Sequence, residues 1–187
     1  MAANLGVVIL GALRPVAEVG FYSIARGAAT VLTTAVGPVS QSIYPLMNEA
    51  WTLKDRPRVR RLIGRLMTVN GIVSAASIVF LLFTAEWLVT VFYGPTFIPA
   101  AAVLRILIVA IGLRAVMGWM RQLILIAGYP RVDLMGSLIG TVFFLLGLAP
   151  SAYVGGAAGL AVLMILDTLV TVGAFAWLGS PLIRIWD

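Results

Sequence analysis

Long apolar runs separated by short polar punctuation pattern nearly the whole chain. Val19–Met47, Leu66 to about Leu88, Pro99 to about Ala127, Leu134–Leu148 with its flanks, and Ala157–Leu178 each approach or exceed the roughly 20 apolar residues that cross a bilayer. Ala3–Leu13 is apolar but short, and the polar patch of Arg14, Pro15 and Glu18 ends it, so it reads as a partial span or a re-entrant piece. Gly94-Pro95, Gly128-Tyr-Pro130 and Gly155-Gly156 mark the breaks, and Pro99 suits the first turn of a helix. Pro38 and Pro45 each remove a backbone donor, which predicts kinks in the 19–47 span. No barrel-like alternation is present, and open strands leave their backbone unsatisfied in lipid. The expectation is therefore an all-α, polytopic transmembrane helical bundle of about five full spans plus one partial span. Residues 1–187 form a single transmembrane domain in this reading.

Composition sharpens that picture. The 187 residues are 61% hydrophobic and 11% charged, with a mean hydropathy of +1.07, against about 25% charged in ordinary globular chains. Cysteine and histidine are both absent, which excludes disulfides, thiol chemistry and Cys/His metal sites. The seven acidic residues are scattered, and no pair has the spacing of a carboxylate metal site or an acid/base dyad. No cofactor is expected: Gly64 stands alone in the basic segment, without a phosphate-cradling pattern. No cleavable signal peptide is read in the first residues, because no basic segment precedes Leu5–Leu13.

The net charge of +6 is concentrated, with six of thirteen basic residues between Lys54 and Arg65. No polar face exists to carry nucleic acid, so the cluster is read as a cytoplasmic juxtamembrane loop facing anionic headgroups. Alternation then puts the turn near 94–97 outside, 128–133 inside, 150–156 outside and the carboxy-terminal tail inside. Arg131 and Arg184 fall on the cytoplasmic side, while Arg14 and Glu18 lie outside as a mild exception.

Ionisable residues within the spans are the functional candidates, since one facing lipid costs at least about 2.5–3.5 kcal/mol. Arg114 lies near the middle of its helix, and Arg121, seven residues later, shares its face. Asp167 is central in the last span, and Arg26 lies in the outer half of the 19–47 span. One reading is a cationic face lining a water-filled cavity for an anionic substrate such as a phosphate. The other has Arg114 paired with Asp167 to hold two helices together, and Arg121 snorkelling to the interface. Asp167 is read as Arg114's partner, with proton or sodium coupling as the alternative. Asn70 and Gln122 read as helix–helix hydrogen bonds, and Gly136 with Gly140 as a packing surface.

Several segments resemble a known family. Glu18-Val-Gly-Phe-Tyr-Ser-Ile-Ala25 resembles the segment that opens a helix in bacterial oligosaccharide (O-antigen-type) flippases. Tyr44-Pro45 with the Arg-rich 56–65 run is similar to a further passage of theirs. So are Phe92-Tyr-Gly94 with Phe97, Ala100–Ala102 and Leu104–Leu107; Ile126-Ala-Gly128-Tyr-Pro-Arg131; and Tyr153-Val-Gly-Gly-Ala-Ala-Gly159. The resemblance implies the carboxy-terminal, six-helix lobe of a MATE-like flippase within the multidrug/oligosaccharidyl-lipid/polysaccharide exporter superfamily. Such proteins move polyprenyl-diphosphate-linked oligosaccharide between leaflets of the bacterial cytoplasmic (inner) membrane by alternating access, for surface polysaccharide export. Met1 would fall inside the first helix of that lobe, so the expected partners are an amino-terminal lobe or a second copy, the lipid-linked substrate and the bilayer.

Under this reading Arg114 and Arg26 attract the diphosphate, Arg121 extends the same cationic face, and Asp167 balances Arg114. The chain is expected not to be an enzyme. A membrane-embedded transferase would need an acid or base near an interface, and Glu86 and Asp133, the loop-edge candidates, are read as lacking partners. The alternatives are a drug or cation antiporter of the same superfamily, a lipid II-type flippase, and a non-transporting subunit or fragment of glycan assembly.

Overall fold

The computed structural model describes residues 2–179 and, within them, all side chains but those of 2–4, 31–33 and 35–41. Its elements are helices: α1 (Ala2–Leu13), α2 (Val16–Thr52), α3 (Arg56–Tyr93), α4 (Pro99–Met117), α5 (Trp119–Ile126) and α6 (Pro130–Leu178), with one 3-10 turn at Pro95–Phe97. The all-α bundle expected from the apolar runs is the observed architecture. Among the described residues, three helical stretches are long and apolar enough to cross a membrane: Arg56–Tyr93, Pro99–Ile126 and Pro130–Leu178.

The last of these is two arms. Gly156 adopts φ 55°, ψ −136°, a conformation essentially confined to glycine, and the chain reverses there. A Cβ placed at Gly136 would collide with the Phe175 ring, one at Gly140 with the Thr171 hydroxyl, and one at Gly147 with Leu163. These partners step in opposite directions along the chain, so 130–155 and 157–178 form an antiparallel hairpin packed through bare backbone. At 1.5 Å per residue the arms measure about 39 and 33 Å, enough for a hydrocarbon core of about 30 Å. Helix continues through Pro150 to the reversal, slightly beyond the end expected at that proline.

The basic segment is the clearest departure from expectation. Only residues 53–55 form a loop, and Arg56–Arg65 are the opening turns of α3. The end of α2 is closed by bonds from the Asp55 amide to the Ala50 carbonyl and from the Lys54 amide to the Trp51 carbonyl, both 3.0 Å. Lys54 takes φ 56° in the position where glycine usually ends a helix. Asp55 then caps α3 by accepting the Arg58 amide at 3.0 Å, and Pro57 fits the first turn. The α5–α6 joint repeats the closure with Gly128 at φ 83° and a Tyr129 amide bond to Ile124.

Helix α4 runs through the middle, touching α2, α3 and α6. Its Ala100, Ala101, Leu104 and Leu107 are buried, packing with Tyr22, Ala25, Ala29, Ala85, Val89 and Leu160, and its buried Ile108 packs against Val73, Ile78 and Leu81 of α3. Phe80, Phe83 and Trp87 of α3 and Leu134, Leu138, Leu145 and Leu146 of α6 are exposed, giving the bundle the apolar outer surface suited to lipid. The joints sort to two ends. Ile43, Met47 and Leu66 pack with Trp119, Leu123 and Ile126 at the basic end. At the other end the Phe21 ring meets Phe97 edge to face, centroids 6.0 Å apart.

Candidate functional site

A cavity of about 450 Å³ lies between α4, α5 and both arms of α6. Arg114, Met117, Gly118 and Arg121 form one wall. Ser137, Gly140, Thr141 and Phe144 come from the first arm, and Met164, Asp167, Thr168 and Thr171 from the second. Residues 118, 121 and 137 lie toward the basic end, and 114, 144 and 164 deeper in. The cavity thus occupies the half of the bundle nearest the basic joints. Its wall helix was expected to run unbroken from 98 to 127, but α4 ends at Met117 and α5 begins at Trp119. Gly118 sits at the break, and an added Cβ would lie 3.3 Å from the Arg114 carbonyl oxygen.

Both cavity arginines are paired. Arg114 Nη2 lies 2.7 Å from Asp167 Oδ2, joining α4 to the second arm. Arg121 engages Asp133 with two prongs, Nε to Oδ1 at 2.7 Å and Nη2 to Oδ2 at 3.3 Å. The burial is asymmetric in the same sense twice: the side chains of Arg114 and Arg121 are 57% and 60% exposed, those of Asp167 and Asp133 only 11% and 14%. Each carboxylate stands behind its guanidinium, fixing it while leaving part of its fork of five donors toward open space. Hydroxyls of Ser137, Thr141, Thr168 and Thr171 share the rest of the lining with apolar Phe144, Met164, Val172 and Phe175, and the Thr168 hydroxyl donates to the Met164 carbonyl at 2.8 Å.

Arg114, Arg121 and Asp167 are therefore brought together. Arg26 lies on α2 beside the buried Tyr22 and is not among the residues lining this cavity. Arg105 pairs with Glu86 at 3.1 Å and donates to the Leu82 carbonyl. Glu86 and Asp133, read from sequence as lacking partners, each hold an arginine; the ligands come from helices 19 and 12 positions away in the chain, beyond the reach of local spacing. Asn70 donates to the Ala115 carbonyl across α3 and α4 at 3.2 Å, as its helix–helix reading requires. Gly136 and Gly140 serve the hairpin, and Gly140 also opens the cavity floor. Arg184 lies outside the described residues.

A further polar group forms at the opposite end. Arg14 donates from Nε to the Ala152 carbonyl at 3.1 Å and from Nη2 to those of Tyr153 and Val154 at 2.8 and 3.3 Å. Glu18 accepts the Ala157 amide at 3.3 Å and lies 3.7 Å from Arg14. A cation thus caps the end of one arm and an anion the start of the next, each matching the local helix dipole. The i, i+4 spacing of the two charges and the distant Gly-Gly pair are the only traces of this clasp in the sequence.

Three of the segments quoted for the family resemblance meet at this end: Glu18 and Phe21 from the first, Phe97 from the third and Ala157 from the last. A family model described as "Polysaccharide biosynthesis protein" matches residues 1–102. The chain belongs to this polysaccharide biosynthesis family. No curated protein and no solved structure matches it. In this polysaccharide biosynthesis protein the matched residues comprise α1, α2, α3 and the start of α4, whereas the cavity is built from residues 114–175, beyond them.

Proposed function

We propose that this membrane protein of polysaccharide biosynthesis translocates a polyprenyl-diphosphate-linked oligosaccharide across the cytoplasmic membrane, as one lobe of a larger or two-lobed assembly. The observation that carries the reading is the pair of guanidinium groups exposed in one cavity, each held by a carboxylate far less exposed than itself: a buried Asp167 and a half-buried Asp133. Arg114 and Arg121 are about 10 Å apart along the helix axis, and their unused donors form fork-like contacts with phosphate oxygens. The substrate moves without bond cleavage, so the residues bind and release rather than catalyse. The basic end, with Lys54, the α3 arginines and Arg131, faces the cytoplasm by the bias of short loops against translocating Lys and Arg. The cavity would then receive its ligand from the cytoplasmic side.

A drug or cation antiporter is the second reading. The exposed groups argue against it, because the carboxylates that would attract a cation are the less exposed members of each pair.

The deciding experiment replaces Arg114 with Ala or Lys in the native host and measures surface polysaccharide together with membrane-inserted protein. Loss of polysaccharide in Arg114→Ala at normal insertion, with partial recovery in Arg114→Lys, is the expected result. Wild-type polysaccharide in Arg114→Ala would remove this residue from the transport site.

A further inference from the structure

The opening of α3 contains an electrostatic conflict. A helix N-terminus carries partial positive charge and favours carboxylates in its first turn, yet α3 begins with Arg56 and Arg58 and has no acid there. Glu49 answers only Arg58, at 3.4 Å, and the Asp55 carboxylate is engaged by the Arg58 amide. Arg56, Arg60, Arg61 and Arg65 are exposed and have no carboxylate partner among the described residues.

Helical geometry arranges these four. At 100° per residue, Val59, Leu62, Ile63 and Leu66 share one side; Val59 is buried, and the other three pack with Ile43, Met47 and α5. Arg56 lies at the border of the apolar side, while Arg60 flanks one edge of the opposite side and Arg61 and Arg65 the other. Pro57 and Gly64, seven positions and two turns apart, lie in line between them. A Cβ added at Gly64 would meet no heavy atom within 4 Å, and Arg61 Nε lies 3.5 Å from the Pro57 carbonyl. The result is a shallow trough with cationic walls, its floor bare backbone at Gly64 and the proline ring at Pro57.

Its depth is set by length. Helix α3 has 38 residues, about 57 Å, against a hydrocarbon core of about 30 Å. Its apolar part begins at Leu66, so the trough sits at headgroup level. We propose that it binds the phosphate headgroup of an anionic phospholipid of the surrounding bilayer, seated over Gly64 between Arg60 on one wall and Arg61 and Arg65 on the other. The lipid supplies the negative charge that the first turns of α3 lack. This assignment is independent of the transport reading, because the trough faces away from the cavity wall carrying Arg121.

The test uses the whole chain, purified and exchanged into mixed micelles of phosphatidylglycerol and phosphatidylcholine, with retained lipids counted by native mass spectrometry. The wild type is expected to retain phosphatidylglycerol selectively, less so at high salt. Each of Arg60→Gln, Arg61→Gln and Arg65→Gln should weaken retention on the order of fivefold. Gly64→Leu keeps every charge and introduces a good helix former, so it should melt at or slightly above the wild-type temperature while losing retention severalfold. Equal retention of the two lipids by the wild type, or undiminished phosphatidylglycerol on Gly64→Leu, overturns the proposal. Preferential displacement of phosphatidylglycerol by a polyprenyl phosphate would overturn it in favour of a substrate-recruiting site.

Discussion

The Glu18 carboxylate accepts the backbone N–H of Ala157 at 3.3 Å, across 139 positions of chain. It does so beneath Gly156, where any side chain would strike that same carboxylate. The first helical amide of the second arm thus obtains an acceptor from α2, and the hairpin turn is tied to the amino-terminal helices.

Glu18→Ala therefore removes a helix cap and leaves the Arg14 guanidinium without its anionic neighbour. A loss of about 1–2 kcal/mol is expected, read as a melting temperature lower by about 2–4 °C per kcal/mol in detergent. Gly156→Ala should be worse, combining a backbone conformation closed to alanine with the collision against Glu18. Gly155→Ala is the control: nothing lies within 4 Å of its added methyl, and helix propensity alone predicts neutrality or a small gain. Equal behaviour of the two alanine variants would dissolve this account of the turn.

The hairpin arms make a graded prediction. A methyl at Gly136 meets the flat Phe175 ring at two atoms, whereas one at Gly147 meets a terminal methyl of Leu163 that can rotate away. Gly136→Ala should cost about 1–3 kcal/mol as overpacking and Gly147→Ala distinctly less. Thermal melting of the pair decides the order.

The Arg114–Asp167 contact lends itself to a double-mutant cycle. Arg114→Ala leaves a carboxylate that is 11% exposed without its counter-ion, while Asp167→Asn leaves an arginine that still reaches open space. The first should destabilise more, and the double variant should recover part of the loss, with a coupling on the order of 1–3 kcal/mol. Additive effects in the melting data would mean that the two side chains do not act together.

Sidedness can be measured directly, because the chain has no native cysteine. Lys54→Cys and Tyr129→Cys should label from one face of the membrane, and Tyr153→Cys and Thr96→Cys from the other. Membrane-impermeant maleimide applied to intact cells and to inverted vesicles checks the arrangement. Labelling of Tyr129 and Tyr153 from the same face would break the hairpin topology.

Local rules account for what was legible in the residues alone. The length of the apolar runs determined a helical membrane bundle, because a backbone in lipid must satisfy itself within each segment. Gly94-Pro95, Gly128-Tyr-Pro130 and Gly155-Gly156 marked the breaks because glycine and proline act on the chain within one or two residues. The pairing of Arg114 with Asp167 was readable as well, since mid-span charges of opposite sign must find each other. The basic loop was misread for a local reason: Asp55 and Pro57 already announce a helix start, and arginine is a good helix former. Tertiary structure decided the rest. Which way each helix turns about its axis places Arg121 on Asp133, Arg105 on Glu86 and Arg14 at the 152–154 carbonyls, and keeps Arg26 away from the cavity. Sequence spacing orders residues along one helix, but only packing against its neighbours sets that rotation, and with it which charges meet.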